Sequence, residues 1–175
     1  MNKHVTPNKV STNDSDHGTF RAIRPQNKTY ALGLSVEMTS REPAFASISF
    51  VEWTQVLMGQ IERNHCFFVI DDEDTVVGFA GWAHSSHDKA VAWLEQGALL
   101  DSSECDHGDC VILNAWTADS AAIQNFMIEH GKAELKGKKL LFAKRVYPDG
   151  KMRAVKLPIN ELHLAVGGLA GGKGA

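Results

Sequence analysis

The sequence predicts an α/β fold of the α+β kind, a central and mostly antiparallel sheet flanked by helices. Three observations carry this reading. Short runs rich in β-branched and aromatic residues recur along the chain: Cys66 to Ile70, Thr75 to Ala83, Val111 to Trp116, Lys139 to Tyr147 and Lys151 to Leu157. Between them lie stretches whose apolar positions recur at three- and four-residue steps, the mark of amphipathic helices. Consecutive strands are joined by short turns, acidic Asp71-Asp72-Glu73-Asp74 and then Pro148-Asp149-Gly150, which favour antiparallel pairing. The resulting order is helix, two strands, helix, strand, helix, two strands.

In chain order, residues 1–28 are rich in Asn, Ser, Thr and Lys and are expected to form a disordered arm. Ala31 to Val36 fits a short strand or the first turn of a helix. Phe50, Trp53, Leu57 and Ile61 define a helix that Asn64 can end. Asp88 can cap a short helix running to Gln96, with Gly97 as its stop. Asp119 or Ser120 caps the next, which buries Ile123, Phe126 and Met127, runs to His130 and stops at Gly131. Trp82, Phe79 and Trp116 should face the interior, because large aromatics on strands contribute most of their area to a core. The folded domain is expected to span 29–160. The small-residue segment 161–175 reads as a flexible tail.

Composition narrows the function. A chain of 175 residues with 43% hydrophobic and 22% charged residues is ordinary for a soluble domain large enough to bury a core. No run approaches the ~20 apolar residues of a membrane span, and the polar N-terminus lacks a secretory apolar region. Three cysteines without a framework spacing fit a reducing compartment, so a cytoplasmic location is expected. A net charge of −3 argues against general nucleic-acid binding. Positive charge is nevertheless gathered at Lys138, Lys139, Lys144, Arg145, Lys151, Arg153 and Lys156. That asymmetry suits an anionic partner, or an edge hairpin whose lysines discourage aggregation.

Chemical motifs are sparse. The loop Cys105-Asp106-His107-Gly108-Asp109-Cys110 offers thiol, imidazole and carboxylate groups, but it lacks a second spaced pair, so it reads as a polar surface loop and no metal is expected. His84, after the strand ending at Ala83, and His65, before the strand starting at Cys66, are histidines that can act as a base; structural or surface roles are the alternative. There is no nucleophile elbow, no phosphate loop and no dinucleotide fingerprint.

The order of several short landmarks resembles the RTX-toxin-activating lysine acyltransferases, the hemolysin-activating branch of the GNAT superfamily. Leu32-Gly33 followed ten residues later by Pro43 is similar to that family's opening segment. Gln60 to Phe67 resembles the end of its first long helix and the next strand. Gly81-Trp82-Ala83 resembles its Ser-Trp-Ala strand end, and Gly108-Asp109 before Ile112-Leu113-Asn114 resembles its Gly-Asp and Ile-Asp pairs. Phe142 to Val146 with Pro148 is similar to its closing basic segment.

The resemblance implies a GNAT-like domain that moves a fatty acyl group from acyl-carrier protein to a lysine amine of a protoxin. The donor would be a phosphopantetheine thioester used as substrate, with no permanently bound cofactor. Asn114 would then be the functional strand residue, with His84 and His65 as replacement bases. Arg145, Lys144, Lys139 and Trp82 would serve the acyl donor or its acidic carrier. Two departures stand out. Phe45 occupies the position of the family's catalytic histidine. Its strand aspartate falls on Asn114, or on Ala115 if the register slips by one. Neither Phe nor Asn can take a proton from an ammonium group.

In the tail, Glu161 to Gly168 resembles the double-glycine end of leader peptides, which implies a ribosomal precursor peptide, acylated on lysine or an ornithine-like residue, as a further acceptor. A flexible linker is the alternative reading of the tail. The rival functional reading is a non-catalytic GNAT-like protein that binds an acyl carrier or a peptide. Homodimerisation is left open.

Overall fold

The computed structural model describes residues 19–166 apart from Ser47 and Pro148. Six strands form one sheet in sequential order: β1 (Arg21–Ile23), β2 (Cys66–Ile70), β3 (Val76–Ser85), β4 (Cys110–Ala118), β5 (Leu140–Val146) and β6 (Met152–Pro158). Every neighbouring pair is antiparallel except β4 and β5, which run parallel across the connection through helix α4 (Ala121–Glu134). Parallel strands need such a crossover, and the other joins are short enough for hairpins or run through helices.

Strand alternation sends side chains to two helical layers. Phe68, Phe79, Ala83, Ile112, Ala115 and Phe142 lie under α1 (Lys28–Ser40), α2 (Phe50–Glu62) and α3 (His87–Gln96). Phe67, Val69, Trp82, Val111, Leu113, Trp116 and Leu141 face α4 and the short α5 (Leu162–Val166). Both faces are therefore apolar, which explains strands that read as continuous hydrophobic runs (β2 is buried at all positions). Trp82, Phe79 and Trp116 are in the core, as the sequence predicts.

The helix ends follow local chemistry. Asn27 accepts from the Tyr30 N–H, Ser49 from Glu52 and Ser120 from Ile123, each satisfying a first-turn donor. Asn64 ends α2 with φ of 56°, and Gly97 follows α3 with φ of 68°.

Several expectations are corrected. The undecided segment Ala31 to Val36 is helical, inside α1. Residues 21–23, read as part of the disordered arm, pair with β2, because Ala22 and Ile23 join the two cores; residues 1–18 lie outside the described residues. Asp88 sits in the first turn of α3, and the N-cap is Ser86. Gly131 does not stop α4; it lies within the helix, where a missing Cβ admits Leu162. The tail begins with α5, whose Leu162, Ala165 and Val166 are buried and whose Val166 carbonyl accepts from Gln124 Nε2 at 2.8 Å. Residues 167–175, with the double glycine, lie outside the described residues. The β5–β6 turn closes through Tyr147 N–H to Lys151 O at 2.8 Å and Gly150 with φ of 79°.

Cys66, Cys105 and Cys110 are all buried thiols. Burial pushes the Cys66 thiol up to about 11 and raises the other two above the ordinary range. A raised thiol pKa withholds the reactive thiolate, to about one part in a thousand for Cys66 at pH 8. Cys66 in the native chain should therefore react with an aromatic disulfide reagent at pH 8 about a hundredfold more slowly than in denaturant, with Cys105 and Cys110 also slowed. Rapid labelling of native protein would show that these thiols are not held as described.

Candidate active site

β4 pairs with β3 along its whole length, but with β5 only from Cys110–Leu140 to Leu113–Ala143. Past Leu113 the two parallel strands have no ladder between them, and this parting of paired strands is the cleft considered as a site. At the same point the β3–β4 register shifts, with Gly81 opposite Ala115 and Trp82 opposite Leu113, so Asn114 is the extra residue of a β-bulge. Bulges re-aim side chains. Asn114 turns toward α2, where its Oδ1 accepts a hydrogen bond from Gln60 Nε2.

Gln60 is 1% exposed and lies flat against Gly81. A Cβ at Gly81 would overlap the Gln60 carboxamide, so the glycine is required by this close approach. With Oδ1 engaged, Asn114 keeps both Nδ2–H groups as donors. Sequence reasoning missed Gln60. The available signal was a polar residue three positions after Leu57 on the buried stripe of an amphipathic helix.

On the α4 side of the cleft stand Trp116 on β4 and Arg145 on β5. Arg145 follows Leu141 and Ala143 on that face, and its guanidinium lies 5.1 Å from the Tyr147 ring. Arg145 Nε, Trp116 Nε1 and Gln60 Oε1 are buried with no hydrogen-bond partner among the described residues. Atoms of this kind also occur away from this region, among them Thr54 Oγ1, Gln124 Oε1 and His130 Nε2.

The other basic residues are less available than the sequence suggests. Lys144 points to the α3 side and sits 4.3 Å above the Trp93 ring, where burial holds its amine below the usual lysine range. Lys139, at the far end of β5, is paired with Asp109 at 2.6 Å. Lys138 Nζ donates to Gly108 O at 2.7 Å. Trp82 is 3% exposed and belongs to the core.

His65 and His84 are brought together, with ring centroids 4.0 Å apart, but not into the cleft. His84 is opposite Val111, in the half of the sheet where β4 and β5 are still paired. Burial, then the neighbouring His84 and Arg63, pushes the His65 imidazole down to about 4. Burial and Lys138 also lower His84. A neutral His65 makes its 3.4 Å approach to Asp106 Oδ1 a polar contact rather than an ion pair.

Phe45 lies on a 3-10 turn (Pro43–Phe45) after α1 and stacks on Trp53 with centroids 4.7 Å apart. The two rings help to line a groove of about 240 Å³ with Val36, Ile48 and Phe50. On the same turn, burial and the nearby Asp119 raise the Glu42 carboxyl above its ordinary value. Asp119 follows β4 and lies 3.7 Å from Arg41 Nη1, so this turn stands beside the C-terminal end of β4, beyond the point where β4 and β5 part.

Residues 24–157 match the family described as HlyC, RTX toxin acyltransferase. The chain belongs to the RTX toxin acyltransferase family. Several solved structures align with the acyltransferase at low identity. The loading GNATL domain of CurA from Lyngbya majuscula aligns at TM-score 0.48 and 15% identity, covering 75% of this chain and 68% of that one. The GphF GNAT-like decarboxylase in complex with isobutyryl-CoA aligns at 0.47 and 16%, covering 74% and 67%. A histone acetyltransferase HPA2 and related acetyltransferase from Corynebacterium glutamicum aligns at 0.44 and 16%, covering 75% and 78%. No curated protein matches the chain significantly.

The contact of Gly81 with Gln60 gives a direct test of the site's architecture. Gly81→Ala should cost about 1–3 kcal/mol by forcing the buried carboxamide aside. Gln60→Ala in the same chain should recover part of that loss. Equilibrium denaturation of the two variants beside the wild-type chain measures both effects, and a Gly81→Ala chain of wild-type stability would show that the carboxamide does not occupy this position.

Proposed function

We propose that this acyltransferase moves a fatty acyl group from the phosphopantetheine thioester of acyl-carrier protein to a side-chain amine. The acceptor is a lysine, or an ornithine-like residue, of a protoxin or of a ribosomal precursor peptide. The observation that carries the reading is Asn114, fixed by Gln60 at the bulge where β4 and β5 part. The family match over residues 24–157 supports the acyl-transfer chemistry.

In the proposed reaction a neutral amine attacks the thioester carbonyl, the C–N bond forms, and the carbonyl oxygen becomes an oxyanion. The Nδ2–H donors of Asn114, pre-oriented by Gln60, stabilise that charge. Collapse breaks the C–S bond, and the pantetheine thiolate leaves. The proton that the nitrogen sheds as the amide forms passes through solvent to the departing thiolate, so no carboxylate or imidazole need stand at the bulge. His65 and His84 lie in the closed half of the sheet and take no part. Arg145 holds the donor's phosphate or an acidic face of the carrier, a task its planar guanidinium suits.

Mass spectrometry of candidate protoxins or peptides, co-expressed with the chain, tests the reading. An added acyl mass on a lysine-type residue is the expected result, and its absence across several candidates would count against transfer. Asn114→Ala should lower turnover by about 10²–10³-fold while leaving carrier binding nearly unchanged, since one oxyanion donor contributes that much.

A second reading, a protein that binds carrier or peptide without chemistry, is favoured by Phe45 at the position where the resemblance places a histidine. It retains carrier affinity and shows no single-turnover loss of thioester.

Carrier docking has its own test in Arg145 and Arg153, which are opposite one another on β5 and β6. Replacing both by glutamate should slow carrier association by about tenfold at low salt, because opposed charges steer encounter. The difference should shrink as salt shortens the screening length toward about 8 Å. Equal association rates at every ionic strength, with the fold intact, would remove this surface from the docking account.

A further inference from the structure

His65, His84 and Asp106 come from three separated segments: the turn before β2, the end of β3 and the loop before β4. One donor atom from each lies within 4.8 Å of the other two. We propose that these three side chains form a site for a divalent transition-metal ion of the zinc class, separate from the acyl-transfer cleft.

The arrangement is built by the backbone. Trp82 N–H donates to His65 O at 2.9 Å, and His84 N–H donates to Cys105 O at 2.9 Å, which ties all three segments together. Gly108, with φ of 116°, lets the loop lie directly on the chain at Ser85, where any Cβ would strike the Ser85 carbonyl. That close approach delivers Asp106 to the two rings. The side chain of His65 is only 9% exposed, and its Nδ1 is buried without a partner among the described residues.

The donor geometry is near what zinc needs. Ligands at about 2.0–2.1 Å in a tetrahedron stand about 3.3–3.4 Å from each other. His65 Nε2 and Asp106 Oδ1 are already 3.4 Å apart. The remaining separations must close by no more than about an ångström and a half, within reach of side-chain rotation. Two imidazoles and one carboxylate suit zinc, cobalt or nickel better than calcium or magnesium, which prefer oxygen ligands.

Three protein ligands leave one position for an exchangeable group. Lys138 and Arg63 act on both rings and oppose a cation, although each is hydrogen-bonded to a loop oxygen, Gly108 O and Ser102 O. They favour an anionic fourth ligand and moderate rather than extreme affinity. Bound metal would fasten the 105–110 loop to β2 and β3. The cysteines of that loop are not the ligands: Cys105 Sγ donates to Asp101 O.

The test uses the full chain, stripped with a chelator and titrated with zinc and with cobalt. The expected result is a saturable equivalent of metal that raises the melting temperature and gives cobalt a visible absorption band. His84→Asn and Asp106→Asn should each weaken that binding at least tenfold and abolish the melting shift, whereas His87→Asn should leave both intact. Circular dichroism confirms that the variants fold, and Asp106, half exposed at its side chain, is the less disruptive of the two. Absence of saturable binding, or binding indifferent to both substitutions, would overturn the proposal. Acyl transfer is a separate measurement, so the metal site and the cleft can fail independently.

Discussion

The structure depends on an unequal sharing of one strand. β4 satisfies its backbone along one edge through β3, but along the other edge only to Leu113, where β5 turns away to follow β6. A central strand with an open edge exposes donors and acceptors that must be met by something. Here that open edge lies inside the protein and is flanked by Trp116 and Arg145 rather than by solvent-exposed lysines along its length. The bulge at Asn114 falls at the parting point because the extra residue adds local twist. The bulge that turns Asn114 and the end of the β4–β5 ladder therefore coincide in the strand.

Gln60 links that cleft to the helical layer. Its carboxamide is buried between α2 and the sheet, and it fits only because residue 81 is a glycine. A buried amide in this setting gives away one donor to Asn114 and leaves its own Oε1 without a partner. Leaving such an atom unmet costs about 1–3 kcal/mol, so the arrangement makes little sense as a stability device. Gly81 and the Asn114 amide fix the orientation of the carboxamide despite that cost.

Much of the fold was legible in the sequence because the determinants are local. β2 was located to the residue, since five consecutive apolar positions lie between two turn formers. The Phe50–Trp53–Leu57–Ile61 stripe and its Asn64 end were equally explicit. What was missed depends on contacts far apart in the chain. β1 is three residues long and becomes a strand only by pairing with β2, and α5 forms where Leu162 meets Gly131. The same holds for the site. The family resemblance pointed to Asn114, but its hydrogen-bond partner Gln60 is 54 residues away. Neither the bulge that turns one toward the other nor the glycine that makes room has a sequence pattern of its own. The basic segment failed in a different way: charge was counted correctly, but the partners Asp109 and Trp93 that engage Lys139 and Lys144 were invisible.

The division of the sheet into a paired and a parted half also separates two kinds of chemistry. In the parted half, the groups near the bulge are amides, an indole and a guanidinium, which donate hydrogen bonds and hold their protonation states near neutral pH. Such groups can stabilise a developing oxyanion but cannot remove a proton. The carboxylates Glu42 and Asp119 stand beyond the C-terminal end of β4, where burial and then repulsion from Asp119 keep Glu42 more basic than usual. In the paired half, two imidazoles and a carboxylate are packed against the same sheet but face Lys138 and Arg63. Imidazoles pushed below their ordinary pKa are poor bases at neutral pH, because little driving force remains for them to accept a proton. The lone pairs that make weak bases here remain available to bind other acids. The sequence offers His65 and His84 as base candidates, whereas the strand register places the pair in the half of the sheet where β4 and β5 remain paired.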